Sequence, residues 1–146
     1  MAGAPNDDIA RRYAELGETV RPHREGADAI RPGCLITLPY DHPGRDAEVA
    51  IDTEEFTALC PWTGLPDFGR LAVRYVPGAK CLELKSLKYY LTSYRNVGIL
   101  QEHAVNRILG DLVALLGPAS MTVEAAYRER GGIKTRAVAT YQKGQA

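Results

Sequence analysis

Residues 83–96 read ELKSLKYYLTSYRN, and this stretch decides the fold. Leu84, Leu87, Leu91 and Tyr94 recur at i, i+3, i+7 and i+10, which is one face of an α-helix and predicts a helix over Glu83 to Tyr94. The stretches before it have a different period. Val49, Ile51 and Thr53 alternate with polar or small residues in a run that reaches Leu59. Leu71, Val73 and Tyr75 alternate with Arg70 and Arg74. Both read as strands. They are joined by Cys60-Pro61-Trp62-Thr63-Gly64-Leu65-Pro66-Asp67, and Pro77-Gly78 stops the second.

Working outward, Asn96-Val97-Gly98 breaks the helix and a second one is expected from about Leu100 to Leu116. Val105, Ile108, Leu112 and Leu115 form its apolar row, widened by Leu109 and Leu116. Gly110 costs about 1 kcal/mol against Ala, so packing must stabilise this helix. Gly117-Pro118 ends it. Met121, Val123, Ala125 and Tyr127 then alternate with polar residues, Gly131-Gly132 suits a tight turn, and Ile133 to Tyr141 is the expected returning strand. The order is ββααββ. The fold class is α+β, an antiparallel sheet with both helices on one face. Residues 1–45 read as a partly irregular N-terminal arm, and residues 46–146 as the single domain. In the arm, Ile9, Tyr13 and Leu16 after Asp8 predict one short helix; beyond it, Pro and Gly recur too often for a long element.

Eighteen basic residues balance eighteen acidic ones, which argues against a general binder of nucleic acid or of a membrane surface. No apolar run approaches the roughly 20 residues of a membrane span. The first residues lack the apolar core of a secretion signal, so a cytoplasmic setting is expected. Cys34, Cys60 and Cys81 are an odd number without Cys-x-x-Cys spacing, which fits free thiols in a reducing compartment. Cys and His never occur in close ligand pairs, so no metal is expected.

Three groups of residues carry potential chemistry. Cys60 ends a strand and enters a loop held by Pro61 and Pro66, so its side chain has little freedom to drift. Asp67 closes that loop, and a thiol beside a proton donor is the minimum for attack on an electrophilic carbon. The plainer reading is a core cysteine and a turn aspartate, and spacing alone favours it. Lys85, Lys88, Thr92 and Arg95 form a second stripe on the first helix, and a polyanion would relieve the repulsion among its cations. A solvated face also explains the stripe, and spacing alone favours it. Gln101-Glu102-His103 opens the second helix; its carboxylate either answers the helix dipole or accepts N–H groups of a guanine-like edge. No Gly-x-Gly-x-x-Gly or Walker sequence occurs.

These segments resemble the single-domain 7-cyano-7-deazaguanine (preQ0) reductases. Glu55 to Pro61, with Thr63-Gly64 and Pro66-Asp67, is similar to the family's catalytic loop. Glu83 to Tyr90, with Ser93 to Asn96, is similar to its reductase motif. Glu102, Val105-Asn106 and Arg130-Gly131-Gly132-Ile133 are similar to its substrate helix and last hairpin. The resemblance spans roughly residues 35 to 142.

It implies a tunnel fold whose subunits join edge to edge into a ring, a decamer of two pentamers with active sites between subunits. It implies the reduction of preQ0 to 7-aminomethyl-7-deazaguanine (preQ1) for queuosine in tRNA, with two NADPH and no direct contact to nucleic acid or membrane. Cys60 would attack the nitrile to give a thioimide, and Asp67 would supply the proton. Glu102 would hold the base edge, with Glu83, Leu84, Gln101 and His103 around the substrate. Lys85, Ser86, Lys88, Arg95, Arg130 and Gly131 would take NADPH. One departure is Gln101, where many members have His; His103 lies two positions on, about 200° around a helix, and is no simple replacement. Two rivals stand beside this reading: a relative that lets ammonia resolve the same thioimide to an amidine, and a non-catalytic ring protein that binds a purine.

Overall fold

The computed structural model describes residues 5–19 and 23–145. In chain order it has α1 (Pro5–Thr19), two single 3-10 turns, β1 (Thr37–Pro39), β2 (Val49–Leu59), β3 (Pro66–Val76) and β4 (Lys80–Leu82). Then come α2 (Leu84–Thr92), α3 (Gln101–Leu116), β5 (Ser120–Tyr127) and β6 (Arg136–Gln142). The main sheet is antiparallel with order β2-β3-β5-β6, so two hairpins flank the helix pair as the periodicity predicts.

Alternation decides which face each strand buries. In β5, Met121, Val123, Ala125 and Tyr127 are buried while the residues between them are half-exposed. Leu71, Val73 and Tyr75 of β3 point the same way. Against them α3 packs Val105, Ile108, Leu112 and Leu116, and α2 packs Leu87 and Tyr90. Burial of each such side chain contributes about 1.5–3 kcal/mol, enough for packing to offset Gly110. The other face is polar and carries ion pairs, among them Arg136 to Glu124 at 2.6 Å.

The termini of the elements follow local chemistry. Gly117 takes φ +55° and caps α3, its N–H bonding the Val113 carbonyl at 2.9 Å. Gly131 and Gly132 take φ +55° and +78°, and Arg130 and Ile133 exchange both backbone bonds at 2.9 and 3.0 Å. That is a two-residue hairpin turn which glycine permits.

Several boundaries differ from the expectation. α2 starts at Leu84 with Glu83 as its cap and stops at Thr92; Tyr94 is fully buried, but from the turn that follows. Leu84 is 60% exposed because it sits at the first helical position, beyond the core. β6 begins at Arg136, since Ile133 is taken by the turn. The arm holds the predicted helix α1, whose Ile9, Tyr13 and Leu16 are exposed. On the arm side of residue 45, Ile30 and Leu35 are buried in the core and β1 pairs with β4. Three-residue strands are too short to show a period, so neither was visible in the sequence.

Gly69 marks a tight place in the sheet: an added Cβ would lie 2.9 Å from the Ala126 carbonyl oxygen and 3.2 Å from the Tyr127 ring. Gly69→Ala should therefore lower stability by about 1–3 kcal/mol through overpacking between β3 and β5. Denaturant unfolding at fixed protein concentration checks this; an unchanged midpoint would show that β5 yields freely.

Candidate active site

The loop between β2 and β3 is fixed from both sides. Cys60 N–H bonds the Leu65 carbonyl and Gly64 N–H bonds the Cys60 carbonyl, each at 2.9 Å. Just before the loop, Leu59 N–H bonds the Val97 carbonyl at 2.9 Å and the Leu59 carbonyl accepts from Ile99 N–H at 3.1 Å. This second set ties the loop to the chain that leads into α3. Leu100 is the N-cap of α3 and offers no side-chain cap, so the first turn of the helix opens with bare N–H groups.

These ties gather residues distant in sequence around one cavity of about 190 Å³. Cys60, Asp67, Gln101, Glu102 and Arg130 line it, with Trp62 on the rim. Cys60 is buried, and Asp67 is only 7% exposed. A buried carboxylate needs a partner. Arg130 provides it: Nε lies 2.8 Å from Asp67 Oδ1, and a second guanidinium nitrogen bonds the same oxygen. The Gly131-Gly132 turn is what aims Arg130 back at the sheet.

Burial alone would push the Cys60 thiol up. Hydrogen bonds from the Thr63 hydroxyl and from the Thr63 and Trp62 N–H groups oppose it, helped by the charge of Arg130, and the balance lies below the ordinary cysteine value. Tyr127 lies on the core side of the site. Burial first, then the charges of Asp67 and Glu102, push its phenol well above the usual range, so it stays neutral. Its hydroxyl donates to the Gln101 carbonyl at 3.3 Å.

A second depression, of about 320 Å³, runs between α2 and the open edge of β2. Lys88 and Arg95 line it with Glu55, Leu91 and Phe68. Lys88 pairs with Glu55, and that bond and charge, with Arg95 adding to them, hold the Glu55 carboxyl below its usual value. Two cations over a groove suit a phosphate-bearing ligand.

Other predicted residues lie elsewhere within this one chain. The Glu83 carboxylate caps α2, accepting Lys85 N–H at 2.8 Å and Ser86 N–H at 2.7 Å. Ser86 is buried; its hydroxyl donates to the Glu83 carbonyl at 2.8 Å and accepts from Ile36 N–H at 3.0 Å. That leaves Ser86 a structural role instead of an open phosphate contact. Leu84 and Lys85 stand exposed at the start of α2, whereas Arg95 lies in the turn beyond its end. His103 is exposed and outside the cavity lining, as its rotation from Gln101 requires. Arg130 belongs with Cys60 and Asp67, away from Lys88 and Arg95, and Gly131 serves the turn. The roles of Thr63 and Trp62 toward the sulfur were missed. The Thr63 hydroxyl contributes first and the two backbone N–H groups after it, and side-chain identity does not reveal the latter. Among the described residues no group of three or more His, Cys, Asp or Glu side chains is placed to hold a metal ion.

A buried thiol, an arginine-paired aspartate and a rim carboxylate share one cavity beside a ββααββ sheet, a set of groups suited to covalent cysteine chemistry. Comparison with known proteins narrows this. A family model described as "QueF-like protein" matches residues 66–146. The NADPH-dependent 7-cyano-7-deazaguanine reductase of Caldicellulosiruptor bescii is 58% identical over 118 residues, covering 81% of this chain and 90% of the relative. The protein of the same name from Thermoanaerobacter pseudethanolicus is 56% identical over 118 residues, covering 81% and 89%. Among solved structures, an archaeosine synthase QueF-Like in the apo form superposes with a TM-score of 0.63 at 24% identity, covering 70% of this chain and 99% of that one, a likeness of fold. The chain belongs to the QueF-like family, the family of these named reductases.

The lowered thiol has a measurable consequence. Alkylation of Cys60, followed by peptide mass spectrometry, should rise with pH to a midpoint below the ordinary value of about 8.5. Thr63→Val should move that midpoint up, because the hydroxyl that favours the thiolate is gone. A midpoint at or above the ordinary value in the unmodified protein would contradict this electrostatic account.

Proposed function

We propose that the protein reduces the nitrile of preQ0 to the aminomethyl group of preQ1, with two NADPH, through a thioimide on Cys60, in the biosynthesis of queuosine. The observation that carries this is the thiolate-favouring setting of Cys60 in the same cavity as Asp67 and Glu102. The reductase names of relatives at 56–58% identity support reduction over the amidine-forming alternative.

In the first step the Cys60 sulfur bonds to the nitrile carbon and one carbon–nitrogen π bond breaks. The proton that left Cys60 ends on the nitrile nitrogen. Asp67 is the group in the cavity that can take the proton from sulfur and deliver it to nitrogen. A nitrile is a poor hydride acceptor, and the thioimide is a better one. NADPH, when bound, would supply two hydrides: after the first, the carbon–sulfur bond breaks, the sulfur returns to Cys60 as the thiol and an imine is left, and the second hydride with a proton gives the amine. Glu102, on the cavity rim, accepts N–H donors of the deazaguanine edge, and Gln101 lies beside it. Lys88 and Arg95 suit the cofactor's phosphates, with Lys85 further along the same helix. Their groove follows β2 toward Cys60, which puts a cofactor and the thioimide on one track.

The sheet ends in two open edges, β2 and β6, and the Lys88 groove lies on the first of them. Unpaired edges of 11 and 7 residues favour pairing with other copies. We therefore read the working form as a ring, a decamer of two pentamers, in which Glu83 and Leu84 reach the substrate of a neighbouring subunit. All three cysteines are free thiols, which suits a reducing cytoplasm.

Incubation with preQ0 and no NADPH should add the mass of one preQ0 to the intact protein, and Cys60→Ala should abolish that gain. An adduct that persists in the variant would rule out the proposed nucleophile. Adduct formation without preQ0-dependent oxidation of NADPH would favour the amidine-forming chemistry.

Lys88→Ala and Arg95→Ala should each raise KM for NADPH several-fold while KM for preQ0 changes little. Each removes one charge-assisted phosphate contact of about 1.5–3 kcal/mol, partly screened by solvent. Unchanged cofactor kinetics in both variants would return the stripe to a solvated helix face.

A further inference from the structure

One arm residue reaches the catalytic loop. Arg24 donates from Nη1 to the Pro61 carbonyl and, at 3.3 Å, to the Trp62 carbonyl. Its position is set by the backbone next to it. Glu25 N–H bonds the Asn96 carbonyl at 2.7 Å, and Gly98 N–H bonds the Glu25 carbonyl at 3.0 Å. A Cβ added at Gly98 would lie 3.5 Å from Pro61 Cα and 3.8 Å from Arg24 Cδ, so loop, strap and arginine stem are in close register.

The two carbonyls that Arg24 grips belong to particular peptide units. The unit of the Pro61 carbonyl carries the Trp62 N–H, and the unit of the Trp62 carbonyl carries the Thr63 N–H. In a planar trans peptide the carbonyl and the N–H point in opposite directions. Those same two N–H groups are the backbone donors that lower the Cys60 thiol. Arg24 thus stands behind the peptide planes and the sulfur in front of them.

We propose that Arg24 is a positioning residue: by holding the Pro61 and Trp62 carbonyls it aims the Trp62 and Thr63 N–H groups at the Cys60 sulfur. The guanidinium also polarises both units in the direction that strengthens their donors. The loop keeps its sharp turn through its own bonds at Cys60 and Gly64, and neither of those bonds engages the Pro61 or Trp62 carbonyl. Arg24 holds both. The inference rests on Cys60 as the nucleophile of the proposed function, and it gives the segment just after α1 a role in that chemistry.

The test uses Arg24→Met, which keeps the aliphatic stem against Gly98 and removes the donors, and Arg24→Lys, which restores a charged donor. Alkylation of Cys60 by iodoacetamide, resolved from Cys34 and Cys81 by peptide mass spectrometry, needs neither nitrile nor NADPH. For Arg24→Met the pH midpoint should move up and alkylation at neutral pH should slow by about three- to tenfold, the effect of a shift of half to one pH unit. Arg24→Lys should recover part of the shift, and KM for NADPH should stay constant in both. A normal midpoint in Arg24→Met overturns the proposal, as does a slower rate at an unmoved midpoint, or a lysine variant no better than methionine. The preQ0 mass adduct of the unmodified protein is measured alongside: its absence removes the nitrile chemistry while leaving the alkylation result to judge Arg24.

Discussion

The site depends on one short run of backbone pairing, in which Leu59 donates to Val97 and accepts from Ile99. It joins the end of β2 to the entry of α3, and the Glu25 strap with Arg24 backs it from the other side. Through that pairing a thiol at position 60 comes to share a cavity with a carboxylate at position 102. The β3–β5 ladder adds the third member, because it runs to Gly69 opposite Tyr127 and leaves the final hairpin leaning over Asp67. Removing the pairing would leave sheet and helices individually satisfied, yet Cys60, Glu102 and Arg130 would have no common place.

Within the cavity, electrostatics follow from burial. Taking a carboxylate out of water is costly unless it is paired. Arg130 answers Asp67 from a half-exposed position, so it remains able to swing when a ligand arrives. The thiol faces the same guanidinium, and the Thr63 hydroxyl with the Thr63 and Trp62 N–H groups adds to its charge. Together they favour the thiolate against the cost of burial, the setting in which a cysteine is nucleophilic.

How much of this was legible in the sequence varied with the length of each signal. The long alternations of β2, β3 and β5 and the two helical stripes carried the ββααββ order, because each buries one continuous face. The Gly131-Gly132 turn was legible for a different reason: few other residues accept two successive positive φ values. β1 and β4 were not legible, since three residues carry no period. Cys60 and Asp67 were found as a loop pair, and the motif around residues 83–96 gave the family. The partnership of Arg130 with Asp67 was hidden by a sequence separation of 63. Glu83 and Ser86 were assigned to ligands by the resemblance and not by the stripe; within this chain capping and the contact to Ile36 engage their polar atoms.

The two depressions lie in sequence along a single strand. Residues 51–53 of β2 face the start of α2, residues 55–57 face Lys88 and Arg95, and Cys60 follows where the strand ends. The bulge between Thr53 and Phe56 makes this possible. It inserts one extra residue, so Glu55 turns out toward Lys88 while Phe56 returns to the core in register with Gly69. Without the bulge, the alternation that buries Ile51 and Thr53 would send Phe56 to the polar face, and either the core or the ion pair would be lost. A catalytic loop at the end of an edge strand and a cationic groove along it are thus products of one irregularity. That edge is unpaired within a single chain. Pairing there would close the groove from outside, and it would form the binding surface and the assembly together.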